Sequence, residues 1–234
     1  MRLLKAAPKL FLAVILCINF SCDQNSDNTI LESETGTVTI QALANIGNSS
    51  SKSQFTATIS TFEVNIKNIQ LGIQNDAYLN TVFEGPYYLN MSNNNTLVDI
   101  ATVTVPNNTY DKVKFNLHKN TDSQLALDQK SVEITGDIDG IPFVFWHNTE
   151  NLVEVEFNNS LELSILGNNA NALIKFDLNS LLTIVQTIGF NGTSPEKADR
   201  NGNGIIEINP NNDDGNGEIA AIFLGLIQDS IVLD

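Results

Sequence analysis

A period of two runs through most of this chain, and it restricts what the chain can become. Val38 and Ile40 alternate with Thr37 and Thr39, and Phe62, Val64 and Ile66 with Thr61, Glu63, Asn65 and Lys67. Val113, Phe115 and Leu117 alternate with Lys112, Lys114 and Asn116, and Val153, Val155 and Phe157 with Glu154 and Glu156. Successive side chains of a strand point to opposite faces, so each run predicts a strand with one buried and one wet face. The phase slips at Asn68 and resumes at Ile69, Leu71 and Ile73, which predicts a bulge within one long strand.

Asp139-Gly140 sits between Val132, Ile134, Ile138 and Ile141, Phe143, Phe145. Both residues of a type I′ turn need positive φ, so this pair predicts a hairpin. Pro106 to Thr109 reads as a turn, and the Asn-rich tracts 93–95 and 168–171 read as loops. Short strands at turn-punctuated spacing imply a mainly β fold, a two-layer antiparallel β-sandwich. The pattern changes near the end. Leu181, Leu182, Val185 and Ile188 share one side of a short helix, and Ile219, Ile222, Phe223, Leu226 and Ile227 recur at helical spacing within 218–234. The expected organisation is a leader over 1–21, a polar tether over 22–35, the sandwich over 36–178, and over 179–234 two helices flanking an acidic Asn/Asp/Gly loop packed on it.

The leader carries Arg2, Lys5 and Lys9, then the 11-residue apolar run Leu10–Phe20. A spanning helix needs ~20 apolar residues, so the run reads as a signal-peptide core. Ser21-Cys22 at its end resembles the lipobox of bacterial lipoproteins, with Asn19 and Phe20 where that motif usually has Leu and a small residue. In that family the cysteine is acylated, which implies lipidation of Cys22 and a membrane partner reached through the lipid.

The chain has 12 Lys and Arg against 27 Asp and Glu, a net charge of −15. Phosphate neutralisation needs clustered basic residues, so nucleic acid is excluded as the main partner. Two Cys and two His exclude a disulfide scaffold and a His/Cys zinc cluster. One stretch spaces its oxygen-bearing side chains regularly: Asp199-Arg200-Asn201-Gly202-Asn203-Gly204-Ile205-Ile206-Glu207. Oxygen ligands spaced two apart in a tightly curled loop converge on one point, as calcium requires. The run resembles positions one to nine of the calcium loop of EF-hands and dockerins. The resemblance implies Asp199, Asn201, Asn203, the Ile205 carbonyl and Glu207 as ligands, Gly204 at the sharp turn and Ile206 as the anchor on the core. Position twelve, a bidentate acid in that family, is Pro210 here; Asp213 or Asp214 is then expected to close the cage. The alternative is an Asx-turn loop that holds no ion.

Other chemistry is weaker. Glu154 and Glu156 share a strand face, the geometry of a carboxylate pair for glycoside hydrolysis, but alternating Glu on a wet strand face is the far commoner cause of such a pattern. His118 and His147 read as strand-end residues. There is no Gly-x-Ser-x-Gly elbow and no phosphate-binding glycine loop. Trp146 and Tyr88 form the candidate platform for a sugar or peptide.

Lipobox, polar tether, carbohydrate-binding-like sandwich and acidic tail together resemble the surface-lipoprotein families of unknown function in Bacteroidota. The resemblance implies an envelope protein, anchored at the outer membrane, that binds or displays something. The leading expectation is a calcium-stabilised binding or adhesion module without catalytic activity, with a glycan or protein ligand. The alternatives are a structural or assembly subunit of a surface complex or fimbria, and a carboxylate-dependent glycoside hydrolase.

Overall fold

A computed structural model describes residues 34–46, 56–73, 77–79, 82–157, 162–182 and 194–234. The leader, Cys22 and most of the tether lie outside them, as does the part beyond Leu182 of the short helix expected within 178–188; residues 179–182 are helical.

The strands are β1 (Thr35–Asn45), β2 (Ala57–Ile73), β3 (Ala77–Tyr78), β4 (Tyr87–Asn90), β5 (Val98–Pro106), β6 (Asn108–Leu117), β7 (Val132–Ile138), β8 (Ile141–His147), β9 (Leu152–Glu156), β10 (Leu163–Ile165), β11 (Asn169–Asp177), β12 (Ile206–Ile208) and β13 (Ile231–Leu233). The longest helix among the described residues, α1 (Gly217–Asp229), precedes β13. The strands form a four-stranded sheet, β13-β11-β1-β5, and a nine-stranded sheet whose main path is β10-β6-β2-β7-β8-β12. The sheets pack as a β-sandwich, as the alternation requires. Val38, Ile40, Val64, Ile66, Val113, Phe115 and Leu117, one parity of each pattern, are fully buried. Phe62 on β2 meets Phe176 on β11 edge-on across the interface, with ring centroids 5.2 Å apart.

Two local expectations hold. Asn68 has φ 56°, and the β2–β6 register shifts between Lys67 and Gln70. Asp139 and Gly140 have φ 51° and 82°, and Ile138 faces Ile141 across the hairpin. Other features depart from the sequence reading. Asn169–Asn171 is strand, not loop, because it pairs with Thr37–Thr39 of β1. That pairing and β8–β12 are parallel among otherwise antiparallel ladders. The last helix stops at Asp229, where Ser230 folds its N–H and hydroxyl back onto the closing carbonyls, and Ile231–Leu233 then joins β11.

β2 positions the functional face. It is long enough that β7 pairs along Ala57–Val64 and β6 along Ile66–Ile73, while β4 takes the opposite edge at Glu63–Ile66. Val64 and Ile66 each have β4 on one side, so β7 and β6 share the other edge and part company at Asn65. There the Asn65 N–H donates to the Ser131 carbonyl and its carbonyl accepts from His118 N–H, each at 2.9 Å. The chain between His118 and Ser131 therefore crosses the outer face at the fork.

Candidate functional site

The acidic loop folds as a nest of Asx turns. Asp199 Oδ1 accepts from the N–H groups of Gly202 (2.8 Å) and Asn203 (3.1 Å), and Oδ2 from that of Gly204 (2.8 Å). Asn201 Oδ1 accepts from Asn203 N–H at 3.0 Å, and Asn203 Oδ1 from Ile205 N–H at 2.8 Å. Gly202 and Gly204, at φ 73° and 86°, provide the left-handed backbone that the curl demands. Asn201 and Asn203 both donate through Nδ2 to Glu207 Oε2, at 2.6 and 3.1 Å. Asp199, Asn201, Asn203 and Glu207 are thus brought together in one turn of chain, with Ile205 inside it. Ile206 is fully buried and begins β12, which lays the loop against β8.

Asp213 and Asp214 occupy different places. Asp214 is 1% exposed, and its oxygens accept from the N–H groups of Arg200 (3.1 Å), Asn201 (3.0 Å) and Glu207 (2.7 Å). Its charge is spent on the loop backbone. Asp213 is exposed and accepts from Asn209 Nδ2 at 3.0 Å. Behind them, buried Asn216 donates to the carbonyls of Ala198 and Glu207, each at 3.1 Å, and Gly217 N–H at the start of α1 donates to Asn212 Oδ1 at 2.7 Å. Loop and helix are one hydrogen-bonded unit. Phe223 of α1 then packs on Phe145 of β8, centroids 5.4 Å apart. Among the described residues no three His, Cys, Asp or Glu side chains form a metal-holding group; the convergence depends on asparagine.

Trp146 and Tyr88 lie on the same outer face but are not adjacent. Trp146 faces Glu133, Glu133 faces Glu63, and Glu63 faces Asn90 of β4. Two strands lie between the rings, about 14 Å at the usual strand spacing. Lys130 sits over the Trp146 ring at 5.8 Å and is ion-paired to Glu133. Tyr88 donates its hydroxyl to Glu63 at 2.8 Å; burial, that hydrogen bond and the charge of Glu63 push its pKa up to about 12. Further along the face, Glu150 pairs with Lys67 at 2.8 Å and with His118 at 3.0 Å. Burial alone would raise the Glu150 carboxyl, but hydrogen bonds from Lys67, the Lys119 N–H and His118 outweigh it and hold the group below the usual range.

Glu154 and Glu156 are exposed on β9, opposite Lys114 and Lys112, and Glu154 contacts the buried Lys112 ammonium at 3.5 Å. His147 ends β8 with a buried Nδ1 that has no partner, and burial pushes its imidazole pKa down. The folded pKa lies below the unfolded value of ~6.5, so the unfolded chain binds the extra proton in that interval. Stability from this residue is complete above pH ~6.5 and is lost as pH falls toward the folded pKa. Melting curves from pH 8 to 5 should therefore fall more steeply for the native chain than for His147→Leu; parallel curves would contradict this.

Fold and loop together define a mainly β, sandwich-like protein with a C-terminal helix clasped by an Asx-rich turn. Compared with known proteins, the chain matches no family model, no curated protein and no solved structure.

Proposed function

We propose that this chain is a calcium-stabilised binding or adhesion module of a bacterial cell envelope, without catalytic activity and held at the outer membrane by a lipid on Cys22. The observation that carries the reading is the folded loop. Asp199, Asn201, Asn203 and Glu207 are hydrogen-bonded within a single turn. Their donor atoms are hard oxygens, the type that calcium takes. Asp214 is buried, so the turn offers an ion its two more accessible carboxylates, Asp199 and Glu207, and two carboxamides. So low a charge suits the ~10⁻⁴–10⁻³ M affinities of extracellular modules. The ion's role is mechanical: it would hold the loop that docks α1 and β12 on the sandwich. The lipobox-like Ser21-Cys22 supports the anchor.

Calcium at ten times its dissociation constant should stabilise the fold by about 1.4 kcal/mol, roughly 3–6 °C. The chain is dialysed against a chelator, melted, and melted again with calcium restored. Recovery of the melting temperature, and its loss in Asn201→Ala/Asn203→Ala, are the expected results. An unchanged melt on adding calcium overturns the calcium part of the proposal.

A second reading, an assembly subunit, is favoured by β5. It forms one edge of the four-stranded sheet, and over its nine residues its only named ladder partner among the described residues is β1. Such an edge can accept a strand from another chain. Oligomers at micromolar protein that dissociate in Thr102→Pro would select this reading.

A further inference from the structure

The fork in β2 holds a built cavity. It measures about 100 Å³ and lies where the 118–131 segment passes over Asn65. Pro86, Leu125 and Ala126 supply apolar walls, Tyr88 stands at the rim and Asn65 lies at the floor. Asn120 holds the covering segment in shape. Its Nδ2 donates to the carbonyls of Asp122 (3.2 Å) and Ala126 (2.7 Å), and its Oδ1 accepts from Asp122 N–H (3.0 Å). Its backbone also bonds both ways, to the Lys130 carbonyl and from Gln129 N–H. The wall that carries Leu125 and Ala126 is therefore formed in advance of any ligand.

Asn65 is the anomaly. It is 4% exposed, on a strand face where Glu63 and Lys67 reach water, and its Nδ2 is buried without a hydrogen-bond partner. A buried donor left unpaired costs about 1–3 kcal/mol. Asn65 lines the cavity, so an acceptor placed there, with the carboxamide turned to meet it, would remove that cost.

The remaining features restrict the acceptor. A cavity of ~150 Å³ admits benzene, so this one suits a group of about four heavy atoms. Its walls favour a methyl on that group. Glu133 and Glu150 are paired with Lys130 and with Lys67 and His118, but Glu63, bonded to the Tyr88 hydroxyl, has no ion-pair partner among the described residues and makes the surroundings unfavourable for an anion. Acetate-like and phosphate-like groups are thereby disfavoured, and a neutral acyl amide fits. The Tyr88 ring is 44% exposed and fixed through its hydroxyl to Glu63, so it presents an ordered apolar surface beside the opening. A saturated ring carried on the amide nitrogen would rest there.

We propose that the cavity binds the acetamido group of an N-acetylated amino sugar, with the carbonyl accepting from Asn65 Nδ2, the methyl against Leu125 and Ala126, and the pyranose ring on Tyr88. The assignment rests on reading the chain as a binding module and specifies that module's ligand class; it does not depend on the calcium loop.

The test is saturation-transfer difference NMR on the full chain with N-acetylglucosamine, glucose and an N-acetyl-lysine peptide, in calcium and in chelator. Strong transfer to the acetyl methyl of the sugar, with little to glucose, is the expected result. Binding should weaken about tenfold or more in Asn65→Asp, the scale of one buried hydrogen bond. It should weaken similarly in Tyr88→Ala, whose exposed side chain makes it the variant that keeps the fold. Equal transfer to glucose, no transfer to any probe, a stronger response to the peptide, or unchanged binding in Tyr88→Ala would each overturn the assignment. Failure here with a calcium-responsive melt leaves the loop reading standing; the reverse pair of results leaves the cavity standing.

Discussion

Phe176→Ala should lower stability by about 4 kcal/mol and the melting temperature by roughly 8–16 °C. Phe176 is fully buried on β11, the strand that joins β1 to β13, and its ring meets Phe62 of the opposite sheet at an interplanar angle of 65°. Truncation removes apolar contact from both layers at once. It also leaves a void between two ladders that are tied along their length, and little collapse can fill it. Phe176→Leu keeps most of the volume and should cost less than half as much. A double-mutant cycle with Phe62→Leu isolates the edge-to-face pair, worth about 0.5–1.5 kcal/mol beyond area. Denaturant titration followed by tryptophan fluorescence reads the native chain and each variant. A loss below about 2 kcal/mol for Phe176→Ala would mean that the layers are not held together through this ring.

The strands were legible where burial alternates, because a period of two admits no other face assignment. The Asp139-Gly140 hairpin and the slip at Asn68 were legible because each carries its backbone requirement in one or two residues. The partners of β1 were not. Parallel pairing with β11 joins segments 132 positions apart, and nothing local in Asn169–Asp177 names Thr37–Asn45 as its neighbour. The ladder there outweighs the turn preference of Asn169 and Asn171. The Ile231–Leu233 strand was hidden because three apolar residues continue a helical pattern as well as they begin a strand. In the loop, the role of Gly204 and the anchoring of Ile206 followed from spacing, whereas the division of labour between Asp213 and Asp214 depends on which carboxylate the folded backbone buries. Asn65 gave no signal. Between Val64 and Ile66 it reads as one more wet-face residue, and only the crossing of the 118–131 segment over the fork turns it into a cavity floor.

Asp214→Ala should cost about 3 kcal/mol, roughly 6–12 °C in melting temperature. The carboxylate closes a turn from Arg200 to Glu207 by accepting three N–H groups at 2.7–3.1 Å, and it is 1% exposed. Bonds to an ionised acceptor are roughly twice as strong as neutral ones. Water can replace the carboxylate at Arg200 and Asn201, which are more exposed, so the sum of three full bonds overstates the loss. The bond to Glu207 differs. Glu207 sits in β12 at the end of the sheet, where β8 is its one ladder neighbour among the described residues, and Asp214 caps the N–H on the other side. Without the cap, β12 and the helix it steadies through Asn216 loosen together. Asp214→Asn keeps the shape but exchanges one acceptor for a donor, and should fall about midway. Asp213→Ala removes one exposed bond to Asn209 and should cost under about 1 kcal/mol. All three variants are melted with chelator and with calcium. A clasp made of backbone hydrogen bonds predicts that the Asp214→Ala loss is the same in both. A loss confined to the calcium sample would instead make Asp214 a ligand of the ion, and the three N–H bonds would no longer account for why the residue is buried.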